Sequence, residues 1–365
     1  RFVKSLDIAL ENFGTCVLQR RVKISDFIEK ELKEIKRGDW QLLPFRDRSG
    51  RRILAMVGNI GLGMDPVAKF KWFWYLSMLM TDEIETQQKG FIVIMFAGSG
   101  DAGFQLPNSD DDRAAKQIQD ASMVRFAVVH GCFPDTPMFR MMQSMCTLVS
   151  PNEMRLRLKF HIGRSIETRY QLVSYGIPVA TIPITDSGTV KTKFLAQWIK
   201  SRRAIEAAES DHSNNKEYID CPMTTDVVFR NGTAAMSHVG NAKFRELVAT
   251  HFQDHSRATS AQAKTEISWR IANKVLANGR FLEWDRSVGC WTPMTDRSQI
   301  RLKVAVTLRD FKKVAGFTLN QQVSSSATDK FMNPDWRHKK RQKLGETEDA
   351  GCLQFCSLGS STAAG

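Results

Sequence analysis

The stretch Phe91-Ile92-Val93-Ile94-Met95-Phe96-Ala97 consists of seven apolar residues in a row. A strand with one face in solvent alternates apolar and polar residues, whereas a strand covered by helices on both faces does not. The stretch therefore predicts a buried central strand in a parallel or mixed sheet.

Strands and helices are predicted to alternate on both sides of this strand. A strand over 51–57 and a helix over 66–88 precede it. After it come helix 111–125, strand 126–132, helix 137–149, strand 157–162, a short helix at 165–174, an extended segment 177–184 and helix 192–208. This alternation indicates α/β architecture, with helices flanking a mixed sheet.

The composition is typical of a globular protein with two domains. The chain has 365 residues, of which 42% are hydrophobic and 25% charged, and a domain commonly takes about 150 residues. Collagen-like, wholly disordered and disulfide-scaffold proteins are excluded. Seven scattered cysteines without a C-x-x-C pair indicate reduced thiols, and hence a cytoplasmic protein that is peripheral at membranes or, alternatively, nuclear.

The domain boundaries follow changes in composition. We predict a partial helical subdomain at 1–37, an α/β domain at 38–208, a polar linker at 209–223 and a small α+β domain of order α-α-β-β-α at 224–313. Residues 314–365 are rich in serine and basic residues and are predicted to form a disordered tail.

The tail contains a basic run that is a candidate contact for an anionic surface. Its members are Arg337, Lys339, Lys340, Arg341 and Lys343. Together with a formal net charge of +13, the run allows three interpretations: an anionic membrane, nucleic acid with nuclear import, or a solvated charge run.

A glycine-rich motif, Gly98-Ser99-Gly100-Asp101-Ala102-Gly103, follows the central strand. It matches the dinucleotide-binding fingerprint, in which the third glycine lies in a helix whose N-terminus faces pyrophosphate. Here Pro107, Asn108 and Ser109 delay the next helix. The context therefore argues against a dinucleotide site.

Apolar side chains in the first domain exceed what a thin α/β layer needs. Methionine adapts its shape to irregular ligands, and several methionines lie on one predicted helix. Core packing is the alternative interpretation. The predicted walls of a lipid cavity are Trp72, Phe73, Leu76, Phe91, Val93, Met95, Met138, Phe139, Met142, Met145 and Val149.

Catalytic motifs are not evident. The sequence contains no G-x-S-x-G, P-loop or H-E-x-x-H motif. His130, His161 and His238 are interpreted as solitary structural or surface residues. We therefore predict a protein that is not an enzyme and requires no cofactor or metal.

Residues 1 to about 200 resemble the CRAL-TRIO lipid-binding family. The resemblance rests on Leu43-Pro44-Phe45-Arg46-Asp47-Arg48, the strand 90–96, Val128-Val129-His130-Gly131-Cys132-Phe133-Pro134, Ser150-Pro151-Asn152-Glu153 and Tyr175-Gly176-Ile177-Pro178. It implies an apolar cavity with a sheet as its floor and a mobile helical gate, and helix 137–149 falls at the position of the gate. The acidic residue common after the central strand of the family is replaced here by Ala97-Gly98-Ser99-Gly100.

Residues 224 to about 313 resemble an uncharacterised domain found in algal, diatom-type proteins. Asp226-Val227-Val228, His238-Val239-Gly240-Asn241, Phe244-Arg245-Glu246-Leu247, Gly279-Arg280-Phe281-Leu282 and Gly289-Cys290-Trp291 carry the resemblance. The domain implies no known chemistry.

Two hypotheses follow. In the first, the protein binds, and transfers between membranes, a hydrophobic small molecule or a phospholipid, with transient contact to an anionic membrane. In the second, it associates with nucleic acid or with proteins through the second domain and the basic tail.

Overall fold

The computed structural model describes residues 2–58, 64–96, 124–150, 152–210, 216–230 and 233–319. Three predicted features lie outside the described residues: the glycine-rich motif 98–103, all but the last two residues of the predicted helix 111–125, and the basic run of the tail. The two sheets of the described chain lie in one compact unit that ends at Phe311.

The first sheet has five strands in sequence order, with the predicted apolar strand at its centre. The strands are β1 Trp40–Leu42, β2 Ile53–Val57, β3 Phe91–Phe96, β4 Phe126–Phe133 and β5 Leu158–Ile162. β2 to β5 pair in parallel, and β1 is antiparallel to β2. The predicted mixed sheet is confirmed.

The described α-helices are numbered in chain order. They are α1 Phe2–Phe13, α2 Cys16–Gln19, α3 Glu29–Ile35, α4 Pro66–Thr81, α5 Ile84–Lys89, α6 Pro137–Val149, α7 Asn152–Arg155, α8 Ser165–Ser174, α9 Lys193–Ser210, α10 Thr233–Met236, α11 Val239–Arg257, α12 Ala261–Leu276 and α13 Arg297–Leu319. Searching this part of the chain finds no helix with the length and apolar character needed to cross a membrane.

Helices cover both faces of the five-stranded sheet, as the unbroken apolar character of β3 predicts. On one face α4 packs with the N-terminal helices and α9, and Trp72, Tyr75 and Leu195 are buried there. On the other face Leu172 of α8 is buried with Ile177 and Ile182. Burial on both faces removes the need for polar alternation along the strand.

The second sheet has three strands: β6 Val227–Phe229, β7 Phe281–Asp285 and β8 Cys290–Pro293. β7 and β8, the two predicted strands, form a hairpin, and β6 pairs in parallel with β7. Helices α11, α12 and α13 supply the buried side chains Phe244, Ile271 and Val304 to the core of this domain. The predicted order α-α-β-β-α is present, preceded by β6 and the short α10.

Two predicted boundaries differ from the structure. The predicted helix 66–88 ends at Thr81 and a separate helix begins at Ile84. The last helix runs to Leu319, so the first residues of the predicted tail are helical.

Candidate functional site

One face of the five-stranded sheet carries two rows of apolar residues. The register aligns Leu54, Val93, Val129 and Leu158 across β2 to β5, and it aligns Met56, Met95, Gly131 and Phe160 in the next row. Residues two apart on a strand point to the same face. The rows therefore form a continuous apolar floor.

Aromatic rings occupy the space above Gly131 in this floor. A Cβ atom at Gly131 would lie 2.5 Å from Cε2 of Phe133 and 3.2 Å from Cδ1 of Phe160. The Phe133 ring stacks on Phe139 of α6, with centroids 5.1 Å apart. Because glycine has no side chain, the Phe133 ring has room above Gly131, and α6 packs against the sheet through the stacked rings of Phe133 and Phe139.

Helix α6 exposes an apolar stripe. Thr136 caps the helix by accepting a hydrogen bond from the backbone N–H of Phe139, and Pro137 occupies the first turn. Phe139 is buried and Met142 half-buried. The stripe consists of Met138, Met141, Met145, Leu148 and Val149, whose exposed fractions run from 39% for Met138 to 78% for Val149.

The predicted cavity walls from α4 and β3 lie instead in a packed core. Trp72, Phe73, Leu76, Phe91 and Val93 are each at most 4% exposed. The Trp72 ring stacks on Tyr75, and its indole N–H donates to the backbone carbonyl of Trp40 at 3.0 Å. These residues consequently form a close-packed aromatic cluster among the described residues.

The eleven predicted wall residues therefore fall into two groups. Those of α4 and β3 are buried, apart from half-buried Met95, whereas those of α6 are exposed, apart from buried Phe139 and half-buried Met142. That all eleven enclose one lipid stays a prediction. The sequence could identify apolar residues, but it could not tell which of them face protein.

A cavity of about 450 Å³ that is open to solvent lies at the edge strand β5, between α6 and α8, and none of the eleven residues lines it. Polar side chains make up most of the wall. Its lining consists of Gln143, Thr147, Arg155, Leu158, Lys159, Phe160, His161, Gln171, Ser174 and Tyr175.

A pair of buried histidines stands behind this cavity. His130 Nδ1 lies 2.8 Å from His161 Nε2, and His161 Nδ1 lies 2.9 Å from Gln171 Oε1. Tyr175 packs edge-on against both rings. Burial, followed by the neighbouring His161, lowers the pKa of His130 to about 3.

The interpretation of His130 and His161 as solitary residues was wrong. Parallel pairing of β4 with β5 sets Cys132 opposite His161 and His130 opposite Lys159, so the two histidines are diagonal neighbours on one face. Only knowledge of the strand register would reveal the pair, because the residues are 31 positions apart.

The sequence motifs of the second domain hold its backbone together. Asn241 accepts from the N–H of Val228 at 2.8 Å, and its amide donates to the carbonyls of Val228 and Ala235, each at 2.9 Å. Asp226 accepts two side-chain hydrogen bonds from Arg280. The hydrogen bonds of these motif residues stabilise the fold of the second domain.

Segment 43–52 joins the first sheet to the second domain. Phe45 lies in a buried cluster with Val228, Leu282 and Trp291, and its ring is 5.3 Å from that of His238. Burial lowers the pKa of His238 to about 4. Within the described residues, no group of three or more His, Cys, Asp or Glu is placed to hold a metal ion.

The chain has no match among curated proteins. The second domain, however, is similar to a known family. Its motif residues, from Asp226 through Asn241 to Arg280, stabilise the three-stranded sheet and the helices around it. Consistent with the predicted resemblance to an uncharacterised domain, residues 226–310 match the model of the family described as Domain of unknown function (DUF6824).

Proposed function

We propose that this protein is a non-enzymatic binding and transfer protein for a small hydrophobic molecule such as a lipid. The CRAL-TRIO resemblance of the first domain motivates the proposal, and α6 would be the gate. The observation that carries it is the apolar stripe of α6, whose five side chains are all exposed.

The energetics of the stripe support a ligand or membrane partner. Fully burying a side chain of this size stabilises by about 1.5–3 kcal/mol. Burial of the whole stripe against a ligand or a membrane would therefore be strongly favourable. Contiguous exposed apolar patches mark binding surfaces. Three of the five side chains of the stripe are flexible methionines, which suits a variable ligand: Met138, Met141 and Met145.

The attachment of α6 is suited to movement. Among the described residues of the helix, Phe139 is the one that is buried. At the C-terminal end of the helix, Arg155 donates hydrogen bonds to the carbonyls of Leu148 and Ser150, each at 3.2 Å. A helix held at two points with few buried apolar contacts opens at low cost in free energy.

The proposal is tested by exchange of a fluorescent lipid between donor and acceptor vesicles in the presence of the full chain. Met141→Glu with Leu148→Glu should slow transfer about tenfold or more, since each charge opposes entry of the stripe into lipid. Leu302→Glu with Val306→Glu, which alters exposed apolar residues of α13, is the matched control and should leave transfer unchanged. Absence of transfer and of lipid uptake by the unmodified chain would refute the proposal.

A second candidate function is association with nucleic acid through the second domain. Residues 226–310 contain thirteen Lys and Arg against eight Asp and Glu, a net charge of +5. Lys274 and Arg270 lie near His251, whose pKa is lowered by burial and by these two cations. Binding to phosphates weakens steeply as salt rises, so mobility shifts measured across salt concentrations separate this candidate from lipid binding.

A further inference from the structure

We propose that the cavity between α6, β5 and α8 is a binding site for a phosphate group. Arg155 and Lys159 are the cations in its wall, and no carboxylate among the described residues lines it. Beside His161 and the apolar Leu158 and Phe160, neutral hydrogen-bonding side chains also line the wall: Gln143, Thr147, Gln171, Ser174 and Tyr175.

The buried histidine pair positions a donor at the cavity wall. The side-chain oxygen of Gln171 accepts a hydrogen bond from Nδ1 of His161, which leaves the Gln171 amide N–H groups for a ligand. With the proton on Nδ1, the Nε2 atom of His161 accepts from Nδ1 of His130. His161 is 5% exposed, so packing fixes the ring and, through it, the orientation of the amide.

Arg155 and Lys159 both have N–H groups that can donate to a ligand. Arg155 donates through Nη2 to two backbone carbonyls and keeps other N–H groups of its planar fork, a geometry that matches phosphate. Lys159 extends from the edge strand β5, is exposed, and forms no ion pair with the described residues. Arginine as a fork and lysine as a point charge are both established modes of phosphate binding.

The charge of the wall selects the class of ligand. Two cations without an opposing carboxylate favour an anion, and several neutral donors around them favour one with many acceptor oxygens. A phosphate monoester has both properties. It could be carried by a small soluble molecule or by a lipid headgroup, and the two sources share this chemistry.

The site is separate from the apolar stripe of α6. Gln143 and Thr147 face the cavity, whereas Met141, Met145 and Leu148 are exposed. Phosphate binding therefore goes beyond the proposed function, and either one can fail without the other.

The test is calorimetric titration of the full chain with inorganic phosphate and with glycerol phosphate at constant ionic strength. A second arm uses vesicles of phosphatidylcholine with and without phosphatidic acid. We expect saturable binding that weakens about tenfold or more in Arg155→Gln with Lys159→Gln. Gln171→Glu keeps the acceptor for His161 but adds a carboxylate to the wall, and it should abolish binding while the melting temperature shows a folded protein.

Arg140→Gln is the matched control, because Arg140 is an exposed cation of α6 that pairs with Asp135 and does not line the cavity. It should leave binding unchanged. Tighter binding to phosphatidic acid vesicles than to soluble phosphates, lost in the same variants, would support a lipid headgroup; equal or tighter binding to soluble phosphates would support a soluble ligand. Absence of binding in both arms, or equal binding by the variants and the unmodified chain, would overturn the proposal.

Discussion

Arg52 and Asp220, 168 positions apart, form a buried ion pair through two contacts of 3.2 Å between guanidinium nitrogens and carboxylate oxygens. Arg52 also pairs with Glu83 at 2.9 Å, and Asp220 accepts from the indole N–H of Trp198. The pair links the residue before β2 to the segment that leads into the second domain. The guanidinium of Arg52, acting against burial, holds the pKa of Asp220 below its usual range.

Asp220→Asn should destabilise the protein by about 1–3 kcal/mol, because the buried guanidinium of Arg52 loses one of its two carboxylate partners and keeps only Glu83. Urea unfolding of the full chain measures the change. Arg21→Gln is the matched control, since Arg21 and Asp82 form an exposed pair of the kind worth about 0–1 kcal/mol. Equal losses in the two variants would show that the Arg52–Asp220 pair is not a link between the sheets.

Gly240→Ala should destabilise the second domain by about 1–3 kcal/mol or more, the usual cost of overpacking. A Cβ atom at this position would overlap the backbone carbonyl oxygen of Asp226, which cannot swing aside as a flexible side chain would. Thermal unfolding followed by circular dichroism measures the loss. The control Ala249→Ser lies on the exposed side of the same helix and should change stability by about 0.5 kcal/mol or less. If Gly240→Ala were equally mild, the close approach of α11 to Asp226 would be incorrect.

Stability should fall as the pH drops through the range in which unfolded histidine titrates. The pKa of His130 is about 3 in the folded protein and about 6.5 in an unfolded chain. The unfolded chain therefore binds more protons between these values. The contribution is fully present above about pH 6.5 and is lost progressively toward pH 3, by about 2 kcal/mol between pH 7 and pH 5 for this residue.

The groups that face His130 oppose its protonation. They are His161, Arg51 and Lys159, while Tyr175 packs against the ring without a charge. Urea unfolding at several pH values should show a shallower loss of stability in His130→Leu than in the unmodified chain. Ala249→Ser, an exposed change on α11 that alters no titratable group, is the control and should keep the original slope. An unchanged slope in His130→Leu would contradict the neutral buried pair.

The sequence predicted the elements that have long periodic or unbroken apolar patterns. The strand Phe91–Phe96 and the helices Pro137–Val149 and Ser165–Ser174 are confirmed, because burial on two faces and helical spacing leave clear patterns. The short strand Trp40–Leu42 was missed. It has three residues, and its central Gln41 is a buried polar residue that donates to the carbonyls of Gly38 and Lys191.

Features that depend on contacts between distant residues could not be predicted. The pairing of Arg52 with Asp220 and of His130 with His161 requires the tertiary arrangement and the strand register. Likewise, Trp72 and Met145 are both apolar in the sequence, yet one is buried in the core and the other exposed on α6. Hydrophobicity alone does not distinguish a residue that packs against protein from one that is exposed on the surface.

The proposed lipid binding requires that the first domain accommodates a hydrophobic molecule. Native mass spectrometry of the full chain, after incubation with lipid vesicles and separation from them, tests this claim most directly. We predict a species heavier than the bare chain by the mass of one lipid, and a loss of this species in Met141→Glu with Leu148→Glu. A spectrum that shows only the bare chain under all vesicle compositions would contradict the account.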